Sequence, residues 1–214
     1  MLALFGYASR VQSDNRSFEE ANPVHERFLR DVLQNRNNKA ILDRWSSLRL
    51  PDGWLVAGCL FQTIWNLRSG AAAEARIKDY DIFYFDGADL SEDAERRIQS
   101  VVHDVFGDLG IVVEAKNQAR VHLWYRDHFG YAYPPLRSSC EGIDRFLVPA
   151  TCVGLRPGGA AGWQVYAPHG LQLLYDGVLE PNVLTDHRDL FEEKVRSYRS
   201  RWPWLTVAMH PGQS

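Results

Sequence analysis

The sequence predicts a mixed α/β fold, a sheet flanked by helices. Short apolar, β-prone runs alternate with segments whose apolar residues recur at helical spacing. Gly, Pro and Asp clusters punctuate them at 51–53, 69–70 and 86–87. The chain of 214 residues, 45% hydrophobic and 24% charged, is long and apolar enough to bury one sizeable core.

Residues 1–22 are polar and irregular and read as a loosely attached arm. HERFLRDVLQ then places Phe28, Leu29, Val32 and Leu33 on one helical face, and NNKAILDRWSSL repeats the pattern with Ile41, Leu42 and Trp45. Pro51-Asp52-Gly53 turns the chain into a strand at Trp54–Ala57, closed by Gly58. The next segment carries Leu60, Phe61, Ile64, Trp65 and Leu67 and predicts a largely buried helix. A strand over Ile77–Phe85 follows, then a helix that Ser91 caps, with Glu92 and Asp93 where the helix dipole favours acids.

IVVEAKNQARVHLWY is strand-like over most of its length. An unbroken register puts Glu114, Lys116, Gln118, Arg120 and His122 on one face; a break at Lys116-Asn117 would upset it. Beyond residue 126 come aromatic and Pro-rich loops, a short helix near EGIDRFL and strands near TCVGLR and WQVYAP. Helices are expected in HGLQLLYDGVL and DHRDLFEEKVRSYRSRW. This divides the chain into an arm (1–22), a core (23–125), an extension packed on it (126–206) and a tail (207–214).

The chemistry concentrates in Asp79-Tyr80-Asp81. Alternate strand residues share a face, so two carboxylates leave the same side of a half-buried strand, where they repel and are costly to desolvate. A cation answers that cost. Glu114, in the apolar context Val112-Val113-Glu114-Ala115, supplies a third acid on another strand. Three such carboxylates suit two divalent cations, the requirement of in-line nucleotidyl transfer. Gly58 at a helix start lets a phosphate approach backbone N–H groups. The competing interpretation is structural pairing, of Asp79 and Asp81 with Lys78 or Arg76, and of Glu114 with Lys116 or Arg120. Arg120 and His122 would contact phosphate or substrate only under the unbroken register.

Other classes are disfavoured. A formal charge of −3 gives no global attraction to nucleic acid. Cys59, Cys140 and Cys152 are far apart with no Cys-x-x-Cys, which points to reduced thiols in a cytoplasmic protein, not a zinc knuckle or disulfide framework. The N-terminus lacks a signal-peptide pattern, and no window approaches the ~20 apolar residues of a membrane span. RPGGAAG lacks Gly-Lys-Ser/Thr and reads as a turn, and the rings of HFGYAYPP are expected to fill core.

The order of Gly-containing turn, Asp-x-Asp and third strand acid resembles the nucleotidyltransferase superfamily that includes DNA polymerase β. LVAGCLFQTIWN, IKDYDIFYFD, NQARVHLWY, GIDRFLVPATCVGLR, VYAPHGLQLLYDGVLEPN and RWPWL resemble one bacterial nucleotidyltransferase-like family over roughly residues 40–206. The resemblance implies a nucleotidyltransferase-type mixed sheet, with Asp79, Asp81 and Glu114 as ligands of Mg²⁺ or Mn²⁺. It implies Gly58 and Cys59 as the phosphate-contacting turn and a nucleoside triphosphate such as ATP as co-substrate; the acceptor, a small molecule or a protein, is left open by it. Two departures stand out: Cys59 occupies a position where the superfamily usually has Ser, a better donor to phosphate, and the stretch from turn to first Asp is longer. The Cys59 replacement favours the alternative, a non-catalytic module of the same fold that binds a nucleotide or a protein.

Overall fold

The computed structural model describes residues 23–158 and 162–208. The arm at 1–22 and most of the tail lie outside the described residues. Helices α1 (Pro23–Val32) and α2 (Arg36–Asp43) open the described chain. Pro23 takes the first helical position, where a missing N–H costs nothing, and Asn35 caps α2 by accepting from the N–H groups of Asn37 and Asn38.

Strand β1 (Trp54–Val56) is buried along its length, and α3 (Gly58–Arg68) is buried from Gly58 through Asn66. A helix enclosed on all sides must satisfy its polar side chains internally. Thr63 Oγ1 accordingly donates to the Cys59 carbonyl at 2.6 Å, and Asn66 Nδ2 donates to the Ala75 carbonyl at 2.6 Å.

Strand β2 (Asp79–Tyr84), helix α4 (Glu92–Phe106) and strand β3 (Val112–Asn117) form a parallel crossover unit. Ser91 caps α4 as its sequence predicts, accepting from the Ala94 N–H at 3.1 Å. Gln99 of α4 then covers the outer edge of β3, donating to the Val113 carbonyl at 2.8 Å and accepting from the Ala115 N–H at 2.9 Å. An edge strand closed in this way offers little to a foreign strand.

β3 stops at Asn117, and the strand expected to run on through His122 does not exist. Asn117 is 2% exposed, and its Oδ1 accepts from the N–H groups of Asp86 and Ala119 at 3.0 and 3.1 Å. Those bonds fold the backbone into a 3₁₀ turn at Gln118–Arg120 and then into α5 (Val121–Phe129), an Asn side chain winning over the ladder.

Helix α6 (Ser139–Ile143) leads to β4 (Gly154–Pro157), which joins β1 antiparallel, and β5 (Trp163–Tyr166), which joins β4 antiparallel. Among the described residues one sheet runs β3-β2-β1-β4-β5, so a single mixed sheet crosses from the residues expected as core into those expected as extension. The helix expected over 169–179 is shorter, α7 (Gln172–Asp176), because Gly177 at φ +70° ends it and starts β6 (Val178–Leu179). Helix α8 (Arg188–Arg201) follows, and β7 (Thr206–Val207) pairs parallel with β6. The rings of HFGYAYPP, expected to fill core, lie at the surface beside Tyr125: Phe129 is 38% exposed, and Tyr131 and Tyr133 are half-buried.

Gly177 is where the backbone leaves no alternative. A Cβ there would overlap the Trp204 ring in a conformation that L residues avoid. Gly177→Ala is expected to cost about 2–4 kcal/mol, read as a lowered urea midpoint with an unchanged m-value.

The main core lies between the sheet and α1, α3, α4, α7 and α8, and is built on Phe28, Leu55, Leu60, Trp65, Ile82 and Trp202. On the opposite face Trp54 and Val56 pack with Ile143, Cys152, Phe83 and Phe146 in a smaller cluster. β2 divides its side chains accordingly. Tyr80, Ile82 and Tyr84 enter the main core, leaving Asp79, Asp81 and Phe83 on the other face.

Candidate active site

The strand registers bring the expected acids together. Asp81 sits opposite Val56 of β1 on one side and opposite Glu114 of β3 on the other. Because β2 and β3 are parallel and in register, Glu114 leaves the sheet on the same face as Asp81, while the flanking Val113 and Ala115 go to the core. Asp79 and Asp81 are half-buried; the Glu114 side chain is 43% exposed.

Their proximity shows in the Asp81 carboxyl, whose pKa is pushed up to about 7. Burial is the largest cause, followed by the charges of Asp79 and Glu114; Lys116 and Lys194 pull the other way. Of the structural pairings considered for these acids one is present, Lys116 Nζ to Glu114 at 3.3 Å. Among the described residues no lysine or arginine pairs with Asp79 or Asp81. No group of three His, Cys, Asp or Glu side chains stands within ligating distance there either. The carboxylates do fit a divalent cation by donor chemistry: all are hard oxygens, two have no cationic partner, and one is held against its preferred charge.

The turn expected to meet phosphate lies one strand away. Ala57 adopts φ 47°, ψ −109°, anchored by its N–H to the Val153 carbonyl at 3.0 Å, and so swings the chain from β1 into α3. α3 opens at Gly58 with no side-chain cap. A Cβ at Gly58 would come within 3.0 Å of Gln62 Nε2. The Cys59 thiol is fully buried and directed at the Val56 carbonyl at 3.6 Å; burial first and Asp81 second raise its pKa well above the ordinary thiol range. That is a packed, protonated thiol, not a nucleophile.

Arg120 and His122 do not share the acids' strand face, because both follow the end of β3. Arg120 is buried, its Nη1 paired with Glu95 of α4 and its Nε bonded to the Leu90 carbonyl at 2.8 Å. With this guanidinium committed to α4, its placement is structural. His122 sits in the first turn of α5 with a buried Nδ1 that has no hydrogen-bond partner among the described residues.

Sequence reasoning missed the cations that face the acids from α8. Lys194 acts on Asp81, and Arg201 lies near Asp79. The RWPWL string contains Arg201, but nothing local to it indicates which surface it reaches.

A family described as Nucleotidyltransferase matches residues 43–207. Among solved structures, one described as an NMR structure that reveals a CCA-adding enzyme head domain is similar, with a TM-score of 0.69 and 23% identity over 86% of this chain and 95% of that one. At that identity the likeness shows the fold. No curated protein matches. A match over three-quarters of the chain, on the sheet that pairs Asp81 with Glu114, places the chain in the nucleotidyltransferase family.

Proposed function

We propose that the protein is a metal-dependent nucleotidyltransferase that moves a nucleoside monophosphate from a nucleoside triphosphate to a hydroxyl or phosphate on a small molecule or protein. The observation that carries this reading is the in-register pairing of Asp81 with Glu114, with Asp79 on the same face and the uncapped start of α3 beside them.

Asp79 and Asp81 are the residues that would hold Mg²⁺ or Mn²⁺, with Glu114 joining the catalytic ion. Bound there, the ions would lower the pKa of the attacking hydroxyl and offset charge on the triphosphate and leaving pyrophosphate. Glu114 sits at the solvent side of the group, where a carboxylate can orient an acceptor hydroxyl once Lys116 is displaced. Gly58 leaves room for phosphate against the first N–H groups of α3. With the Cys59 thiol buried, that contact falls to backbone N–H, and the missing Ser hydroxyl weakens it without abolishing it.

The free thiols support a reducing compartment, the cytoplasm. No helix among the described residues is long and apolar enough to cross a membrane.

Titration with ATP and Mg²⁺, with pyrophosphate release as readout, tests the reading. Mg-dependent binding with release is expected, and Asp81→Ala should lose both. Unchanged binding and turnover in that variant would remove the assignment. The second reading, a binding module that keeps the fold, is favoured by the Lys116–Glu114 ion pair and the buried Cys59 thiol. Binding by the wild type without release would support it.

A further inference from the structure

Helix α8 brings to the site a guanidinium with unspent donors. Arg201, its last residue, donates from Nε to the Ser197 carbonyl at 3.2 Å and from Nη1 to Gln62 Oε1 at 2.9 Å. Nη2 has no acceptor among the described residues, and Arg201 forms no ion pair there. Its guanidinium lies 4.4 Å from the Trp202 ring centroid, a cation–π seat that fixes the head group without neutralising it.

Gln62 locates Arg201 within the site. Its Nε2 stands against Gly58, at 3.0 Å from where a Cβ would be, while its Oε1 takes Arg201. Arg201 is thereby within one side chain's width of the uncapped start of α3, and Asp79 is the acid whose charge acts on it. Arg76 is adjacent, donating to the Arg201 carbonyl at 3.1 Å, and likewise lacks an ion pair among the described residues. Arg76 and Arg201 repel each other, and with no ion pair to either among the described residues an anion beside the helix N–H groups would relieve that repulsion.

We infer that Arg201, carried in by α8 and steered by Gln62, binds the non-transferred phosphates of the nucleoside triphosphate, with Arg76 as a second cation. This rests on the nucleotidyltransferase reading and adds to it the residues that hold the pyrophosphate portion. A planar guanidinium with a free edge matches adjacent phosphoryl oxygens. Arg201 is expected to recognise the polyphosphate and not the base or ribose.

Isothermal titration of the full chain with inorganic tripolyphosphate, Mg-ATP and AMP tests this, with Arg201→Met as the main variant because its stem keeps contact with Trp202. Arg201→Met should weaken tripolyphosphate and Mg-ATP by about tenfold or more while AMP changes by less than about twofold. Arg201→Lys, which keeps charge but loses the fork, should fall between and serves if the Met variant does not fold, as checked by near-UV circular dichroism. Wild-type affinity for tripolyphosphate in both variants would overturn the assignment of Arg201 while leaving the nucleotidyltransferase reading intact. Equal weakening of tripolyphosphate and AMP would overturn it in favour of a structural role. A wild-type chain that binds neither tripolyphosphate nor Mg-ATP overturns both.

Discussion

Asp81→Asn should eliminate nucleotidyl transfer and at the same time make the metal-free protein harder to unfold at pH 8. Both expectations have one cause. The Asp81 carboxyl is held at about 7, against an ordinary value of 3.8, by burial and by Asp79 and Glu114. Between those values the native state keeps a proton that the unfolded chain releases. Wild-type stability therefore falls as pH rises from about 4 to about 7, with the whole penalty present above 7, up to about 4 kcal/mol. An amide of the same shape carries no such penalty. The variant should melt several degrees higher than wild type at pH 8, at about 2–4 °C per kcal/mol for a chain of this size, and the gap should shrink towards pH 4. Added Mg²⁺ should raise the melting temperature of the wild type and leave the variant where it was. The Mg²⁺ affinity of the wild type should climb through pH 7 as the competing proton leaves. A variant that melts below wild type at pH 8 would show that Asp81 is neutralised by protein groups.

Trp202→Ala should produce the largest loss of stability among single core substitutions. Trp202 is 1% exposed, packs edge-on to Trp65 with ring centroids 5.2 Å apart, and donates from Nε1 to Asn66 Oδ1 at 3.0 Å. Removing it leaves a cavity the size of an indole, costing about 3–5 kcal/mol, and strips a buried amide oxygen of its donor. Measured against a typical total of about 5–15 kcal/mol, that is a large fraction, and the melting temperature should fall by about 10 °C. Trp202→Phe keeps a ring against Trp65 but loses the N–H, and should cost about 1–2 kcal/mol. Since Trp202 docks the end of α8, the Ala variant should also weaken triphosphate binding by displacing Arg201, even at temperatures where it remains folded. Intact triphosphate affinity in a folded Ala variant would separate α8 docking from the site.

The acid face was legible because β-strand periodicity is local. Asp79 and Asp81 two residues apart must share a side, and the apolar neighbours of Glu114 mark it as another strand residue. Caps such as Ser91 were legible for the same reason: the bond spans three residues. The course of the chain after Glu114 was not. Asn117 has strand-prone residues on both sides in the sequence, and its side chain ends β3 with the help of the Asp86 N–H, far away in sequence, which it accepts together with that of Ala119. Without that partner the unbroken register is as reasonable, and it carried Arg120 and His122 to a face they do not occupy.

From the sequence alone come the alternation that puts two acids on one face, the Gly-containing helix start, and the family pattern. Each depends on atoms separated by a few covalent bonds or on a motif of fixed spacing. Only the tertiary structure decides that Asp81 faces Glu114, that Arg120 is committed to Glu95, and that Lys194 and Arg201 approach the acids from the far end of the chain. Those facts depend on burying α8 against Trp65 and on sheet register, interactions whose partners no short window of sequence contains.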